Sequence, residues 1–472
     1  MNICKPVLLA FCALLAACRA APPAEVPPFV GSSSLSEAFA EAAAQSGAPG
    51  VVAGLYEAGE LVATFSWGLA DTAARTPASP DLLFEIGSLS KHVTAIAILN
   101  LETEGRLALD GQIGAYVDSL PETWRSVTLK QLLSHTGGIP DYEAAAGYKI
   151  YEAPGNRDVV LASVIDKPLD FPPGTAFSYS NTGYYLLSLA IERVSGMPFA
   201  TYLQRTLFAP AGMTDTELGP PTMSHRRAQG YKPGDTGLTA VPPIFVETTL
   251  GAGGIATTLA DWGKWRRALR AEAIVDSAAI IRTTTPTKLL NGEDVNYGFG
   301  MIADRFRGER RETHTGQTAG FTCRFEHYPD ADRSLLVLSN TYGGRLNAVA
   351  RALAINFIPG LDYSTLPEQP ADSSESRMGR AALQQAVLGG DDLSLLSEGM
   401  QAFATDDAYA PLRDPLKPGI ESMTTFALVK REGDASSGTT RHVYRVISQE
   451  GTQYWILSMK DGLLIGLDWA DR

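Results

Sequence analysis

Residues 85–102 read EIGSLSKHVTAIAILNLE: a glycine, then a serine, then a lysine three positions on, then a long apolar run. The run predicts a helix, and on a helix positions i and i+3 share a face, so Ser88 and Lys91 project together from its first turn. The free N–H groups and positive dipole end of that turn favour negative charge developing at Ser88. A serine hydroxyl is a weak nucleophile and needs a base within hydrogen-bond reach; an unprotonated lysine or a tyrosinate serves. The spacing alone decides little, because S-x-x-K arises by chance in a chain this long and then marks a capped helix with a solvated lysine.

Two further stretches give the pair its partners. Residues 177–184, FSYSNTGY, open another apolar helix, and Tyr179 and Asn181, two apart, point into one cleft if the segment is extended. His314-Thr315-Gly316 is expected at the head of the strand-like run GFTCRFEHY, where a glycine lets a ligand's backbone come close. No G-x-S-x-G elbow, H-E-x-x-H helix or phosphate-loop pattern competes with these three elements.

Taken together, Ser88-x-x-Lys91, Tyr179-Ser-Asn181 and His314-Thr-Gly316 resemble the serine β-lactamase and penicillin-binding superfamily, in its class C β-lactamase and D-alanyl-D-alanine carboxypeptidase branch. The resemblance runs over residues 34–359 and is supported by QLLSHTGGIPDY, LFAPAGMTDTEL, GAGGIATTLADW and NYGFGM. It implies an acyl-enzyme on Ser88, with Lys91 and Tyr179 sharing the proton and Tyr179 as a phenolate held down by the lysine's charge. By the same resemblance the oxyanion hole is the backbone N–H of Ser88 and of Gln317. Asn181 binds the acyl-side amide or steadies Lys91, while His314 and Thr315 meet the substrate's carboxylate end. A second H-T-G, at His135-Thr136-Gly137, is expected in a loop at the cleft mouth. Histidine stands where class C enzymes carry lysine in the third motif, and a neutral imidazole attracts a carboxylate less strongly. The pattern is thus closer to the peptidases, D-aminopeptidases and esterases of the branch.

The implied substrates are a small peptide, a β-lactam or an ester, with peptidoglycan as a candidate partner. The alternatives are a carboxylesterase on the same fold, or a non-catalytic cell-wall-binding protein. Neither a cofactor nor a metal is expected, since His225, His327 and His442 show no ligand spacing. Trp262, Trp265, Tyr142, Tyr297 and His92 are read as packing residues. A formal charge of −13 without long runs of one sign argues against nucleic acid or an anionic membrane surface as partner.

Residues 1–17 set Lys5 ahead of the apolar run VLLAFCALLAA, too short for the roughly 20 residues of a membrane span, and are read as a signal peptide. Leu15-Ala16-Ala17-Cys18 resembles the lipobox of bacterial lipoproteins, implying lipidation at Cys18 and a membrane-anchored protein, periplasmic or at the cell surface. Residues 18–33 then form a Pro-rich tether. The hydrolase domain is expected over 34–361, as an α+β fold: an antiparallel sheet built from both ends of the domain, flanked by helices, with a helical subdomain inserted. Residues 362–378 are read as a linker and 379–472 as a small α+β accessory domain, with a helix and four strands.

Overall fold

Residues 50–57, GVVAGLYE, are apolar almost throughout, as a strand covered on both faces requires. They form β1 (Gly50–Glu57), buried along its length but for the last residue. Ala58 and Gly59 both adopt positive φ and turn the chain into β2 (Glu60–Asp71), the geometry of the tight turns that match strand twist. The computed structural model describes residues 33–147, 150–151, 157–218, 226–235, 237–244, 246–369, 373–434 and 438–470. Residues 1–32, which hold the expected signal peptide, Cys18 and most of the expected tether, and His225 lie outside them.

Far along the chain come β3 (Ile302–Phe306), β4 (Glu309–Gln317), β5 (Thr322–Tyr328) and β6 (Arg333–Ser339). β6 pairs antiparallel with β1, Val51 opposite Ser339 and Glu57 opposite Arg333, so the two ends of the domain meet in mid-sheet. The sheet order is β3-β4-β5-β6-β1-β2, with Thr76–Pro77 as a short edge. Helices α1 (Ser33–Ala44) and, at the domain's end, α5 (Leu346–Phe357) pack against each other, α1 also against β2 and α5 against β5 and β6. Between β2 and β3 the chain makes the helical insertion that carries α2 (Ser90–Thr103), α3 (Asn181–Ser195) and α4 (Leu259–Arg270). Trp262 and Trp265 of α4 are core residues, Trp262 edge-on to Phe325 of β5 at 5.3 Å.

β4 departs from the sequence expectation. Its sequence ERRETHTGQ is too charged to read as a strand, and the third motif was expected at the head of the strand that follows. The structure sets His314 on β4 itself, in register with Phe325, and Gly316 with Cys323. Charge is tolerated because the open face carries an ion network in place of apolar cover: Arg311 reaches Asp304 at 2.8 Å and Glu326 at 3.0 Å, and Arg324 reaches Glu326 at 2.7 Å.

Beyond Tyr363, helix α6 (Ser373–Leu388) begins within the stretch expected as linker. The strands β7 (Thr425–Asp434), β8 (Thr439–Ser448), β9 (Gly451–Lys460) and β10 (Leu463–Ala470) form an antiparallel meander. Leu383 and Val387 of α6 share a core with Leu428, Trp455 and Leu464 from the strands. Lys430 of β7 ties this unit to the sheet, donating to Glu309 Oε1 at 2.7 Å and to the carbonyls of Arg307 at 2.9 Å and Gly360 at 3.3 Å.

Candidate active site

Ser88 lies on a single 3-10 turn, Gly87–Leu89, that leads into α2. In that tighter geometry i and i+3 side chains eclipse, and Lys91 Nζ comes to 3.1 Å from Ser88 Oγ. α2 is apolar on every side and buried from Ser90 to Leu101, so it runs through the core and Lys91 has no exposed surface.

The remaining contacts of Lys91 accommodate a neutral amine. Nζ donates to Asn181 Oδ1 at 2.8 Å and to the carbonyl of Ala252 at 2.8 Å. An ammonium donates to all three acceptors, Ser88 Oγ included; a neutral amine with its two N–H bonds on Asn181 and Ala252 leaves its lone pair to the Ser88 hydroxyl. Burial drives the amine down to about 7, against the pull of the Asp141 and Glu143 carboxylates. Near neutrality, therefore, a large share of Lys91 is a free base aimed at the serine.

Tyr179 completes the chain of groups. Its ring lies 4.7 Å from Lys91 Nζ and its hydroxyl is in hydrogen-bond reach of Ser88. The phenolate inferred from the resemblance is not what the structure favours: desolvation pushes Tyr179 well above the ordinary phenol range, outweighing the Ser88 hydrogen bond. Tyr179 is then a phenol that donates to Ser88, which donates to Lys91. Asn181, first residue of α3 behind the N-cap Ser180, is oriented by both ends of its amide: Oδ1 accepts from Lys91, and Nδ2 donates to Glu143 Oε2 at 3.3 Å. Its backbone N–H donates to Asp141 Oδ1 at 2.8 Å.

Strand alternation decides the fate of the third motif. On β4, His314 and Gly316 point inward while Thr315 and Gln317 lie on the open side. His314, expected at a substrate carboxylate, is instead buried with both ring nitrogens occupied: Nδ1–H donates to the Thr315 carbonyl at 2.5 Å and Nε2 accepts from Tyr297 O–H at 3.1 Å. Burial and the nearby Lys91 charge lower it to about 4, so it stays neutral. Thr315 stands opposite Arg324 in register. Tyr297, read as a packing residue, is buried and also hydrogen-bonded to the motif.

Gly316 is needed for an approach, but not by a ligand. A Cβ there would lie 1.8 Å from the Ile86 carbonyl, and one on Gly87 would lie 2.4 Å from the Gln317 nitrogen. These contacts press the serine turn against the end of β4, bringing Ser88 and the Gln317 amide into one cleft. Gly316→Ala is therefore expected to move the turn and to lower kcat/KM more than tenfold together with Tm; an unchanged Tm and rate would contradict this reading of the contact.

The cleft is lined by Ser88, Gln317, Asn181, Ala252, Glu143 and Tyr142, among others. Residues 35–357 match the family described as Beta-lactamase. The chain belongs to the beta-lactamase family. It is 29% identical over 372 residues to a penicillin-binding protein of Bacillus subtilis (strain 168), covering 74% of this chain and 80% of that one. It is 30% identical over 324 residues to a D-aminopeptidase of Brucella canis; that match spans 67% of this chain but only 61% of the Brucella protein, under two thirds of its length. A penicillin-binding protein structure from Bacillus halodurans superposes with a TM-score of 0.58 at 28% identity, over 65% of this chain and 95% of that one. A penicillin-binding protein homologue from Pyrococcus abyssi, 22% identical with a TM-score of 0.62, shares the fold over 93% of this chain and 98% of its own.

Two site residues, Ala252 and Glu143, escaped the sequence reading, and a third, His135, lies elsewhere than expected. Ala252, which accepts from Lys91 through its carbonyl, acts through the backbone and leaves no side-chain signal. Glu143 directly follows the family-like run that ends at Tyr142, and no motif includes it. His135, expected at the cleft mouth, is buried beneath Tyr179.

Proposed function

We propose that the chain is a serine hydrolase that cleaves amides or short peptides of D-amino acids carrying a free amino group, through an acyl-enzyme on Ser88. The observation that supports this choice is the charge of the cleft: among the described residues lining it, Glu143 is the only one with a formal charge. A carboxypeptidase site needs a cation for its substrate's carboxylate, and His314 is buried and neutral. A carboxylate on the wall instead favours a substrate ammonium. Glu143 Oε2 accepts from Tyr151 O–H and Asn181 Nδ2, while Oε1 has no partner among the described residues. The D-aminopeptidase relative supports the same substrate class.

In the proposed reaction Ser88 Oγ attacks the acyl carbon as its proton passes to Lys91, and the oxyanion lies against the Ser88 and Gln317 amides. The leaving nitrogen takes the Tyr179 proton, which the Lys91 ammonium replaces. Water then attacks the ester, giving its proton to Lys91, and Lys91 returns a proton to Ser88. Activated esters need no leaving-group protonation and reach the same acyl-enzyme, so esterase activity is expected alongside.

Glu143→Gln tests the substrate class. On D-alanine p-nitroanilide, KM is expected to rise about 30-fold, the worth of a charge-assisted hydrogen bond of ~2 kcal/mol. The N-acetyl analogue, a poor substrate of the parent, should be no further impaired. Measurement at pH 7 keeps the substrate's amino group mostly an ammonium; loss of the Glu143 charge lowers Lys91 further and so favours kcat, which leaves KM to carry the test. Equal loss on the free and acetylated substrates would remove the ammonium reading while leaving the acyl-enzyme intact.

A further inference from the structure

His135 holds the chain at three points around one residue. Its carbonyl accepts from Ser178 N–H at 3.0 Å, its ring Nδ1 accepts from Ser180 N–H at 3.1 Å, and its ring lies 4.3 Å from the Tyr179 ring, tilted by 35°. The two hydrogen bonds thus grip the backbone on either side of Tyr179 while the imidazole packs on its side chain. His135 itself sits at φ +56°, in the left-handed region that residues with a side chain seldom adopt.

The ring's hydrogen bonding shows what it is kept for. Because Nδ1 accepts from a backbone N–H, the ring proton of the neutral imidazole is on Nε2, and Nε2 is buried with no hydrogen-bond partner. A buried N–H without a partner is costly. Were packing the only role, phenylalanine would fill the space among Phe177, Tyr184 and Tyr297 without that cost. The polar atom that repays it is Nδ1.

We propose that His135 is a positioning residue for the reaction, fixing the backbone and ring of Tyr179 so that the phenol hydroxyl stays on Ser88. Burial holds the imidazole well below its usual range, which keeps Nδ1 an acceptor wherever Lys91 is active. The inference rests on the serine-hydrolase reading above.

Its test is a double-mutant cycle with Tyr179→Phe, read on D-alanine p-nitroanilide with the full chain. His135→Phe keeps a ring and removes Nδ1; His135→Asn keeps an acceptor, tolerates positive φ and removes the ring. In the parent, His135→Phe is expected to lower kcat 30- to 100-fold with KM changed less than threefold, and His135→Asn to lower it five- to tenfold. In the Tyr179→Phe background each should cost less than threefold, since a residue acting through Tyr179 has nothing left to position. Equal losses in both backgrounds, or a His135→Phe protein within threefold of the parent, would overturn the proposal. If His135→Phe gives no cooperative melting transition, the His135→Asn arm decides by the same comparison. Labelling of the parent at Ser88 by a fluorophosphonate separates the two readings. A parent neither labelled nor active removes the hydrolase and the inference together; a labelled, active parent with an additive cycle removes only the role of His135.

Discussion

Ser88→Ala is expected to lower kcat/KM on a D-amino-acid amide by about 10,000-fold or more, leaving only the acceleration that binding and the amides of the cleft supply. The size follows from the division of labour in the site. Lys91 and Tyr179 both act through the serine oxygen, so without it no covalent intermediate forms and the remaining groups have no nucleophile to serve. Stability should change little. Lys91 keeps its bonds to Asn181 and Ala252, each at 2.8 Å, and the lost contact is the longer one, at 3.1 Å. A melting temperature close to that of the parent, with activity gone, separates loss of chemistry from loss of fold.

Lys91→Met is expected to cost about 1,000-fold, within the usual range for a positioned general base, and to change the pH profile. In the parent, kcat/KM should fall about tenfold per unit as pH drops below about 7, because protonation takes the lone pair that faces Ser88. The variant should lack that limb. Were a Tyr179 phenolate the base, the limb would stand at or above the ordinary phenol range instead, since burial pushes that hydroxyl upward. Stability carries the same signature. Lys91 titrates at about 7 when folded against a usual 10.5, so between those values the unfolded chain binds more protons and stability rises with pH. Urea melts at pH 7 and pH 10 should show the rise in the parent and its loss in Lys91→Met.

How far the sequence spoke for the site depended on where each signal resides. Ser88 and Lys91 were legible because two side chains three apart on an apolar run have one geometric consequence. Tyr179 and Asn181 were legible as neighbours by strand-like alternation, though it is the N-cap of α3 that turns Asn181 toward Lys91. Which group holds the proton was not legible, because it depends on burial: the lysine's exposure is zero only once α2 is wrapped by α3 and residues 250–257. β4 was hidden by its charges, which find their partners on the neighbouring strands β3 and β5 only once the sheet has formed, and the inward turn of His314 follows from β4's register. His135 stood in plain view as a second H-T-G, yet its hold on Tyr179 spans more than forty residues and is set by one left-handed backbone angle. The meander of the accessory unit was readable from four apolar runs between glycine turns, whereas the clasp by Lys430 depends on tertiary placement.

The measurement that bears most directly on the site is the titration of Lys91 itself, followed by carbon-13 NMR of the ε-carbon in lysine-labelled protein, with Lys91→Met to assign the signal. A midpoint near 7, coincident with the acid limb of kcat/KM, is the predicted result. A midpoint near 10.5 would mean that Lys91 is an ammonium throughout the active range, and the neutral amine would then not be what removes the proton from Ser88.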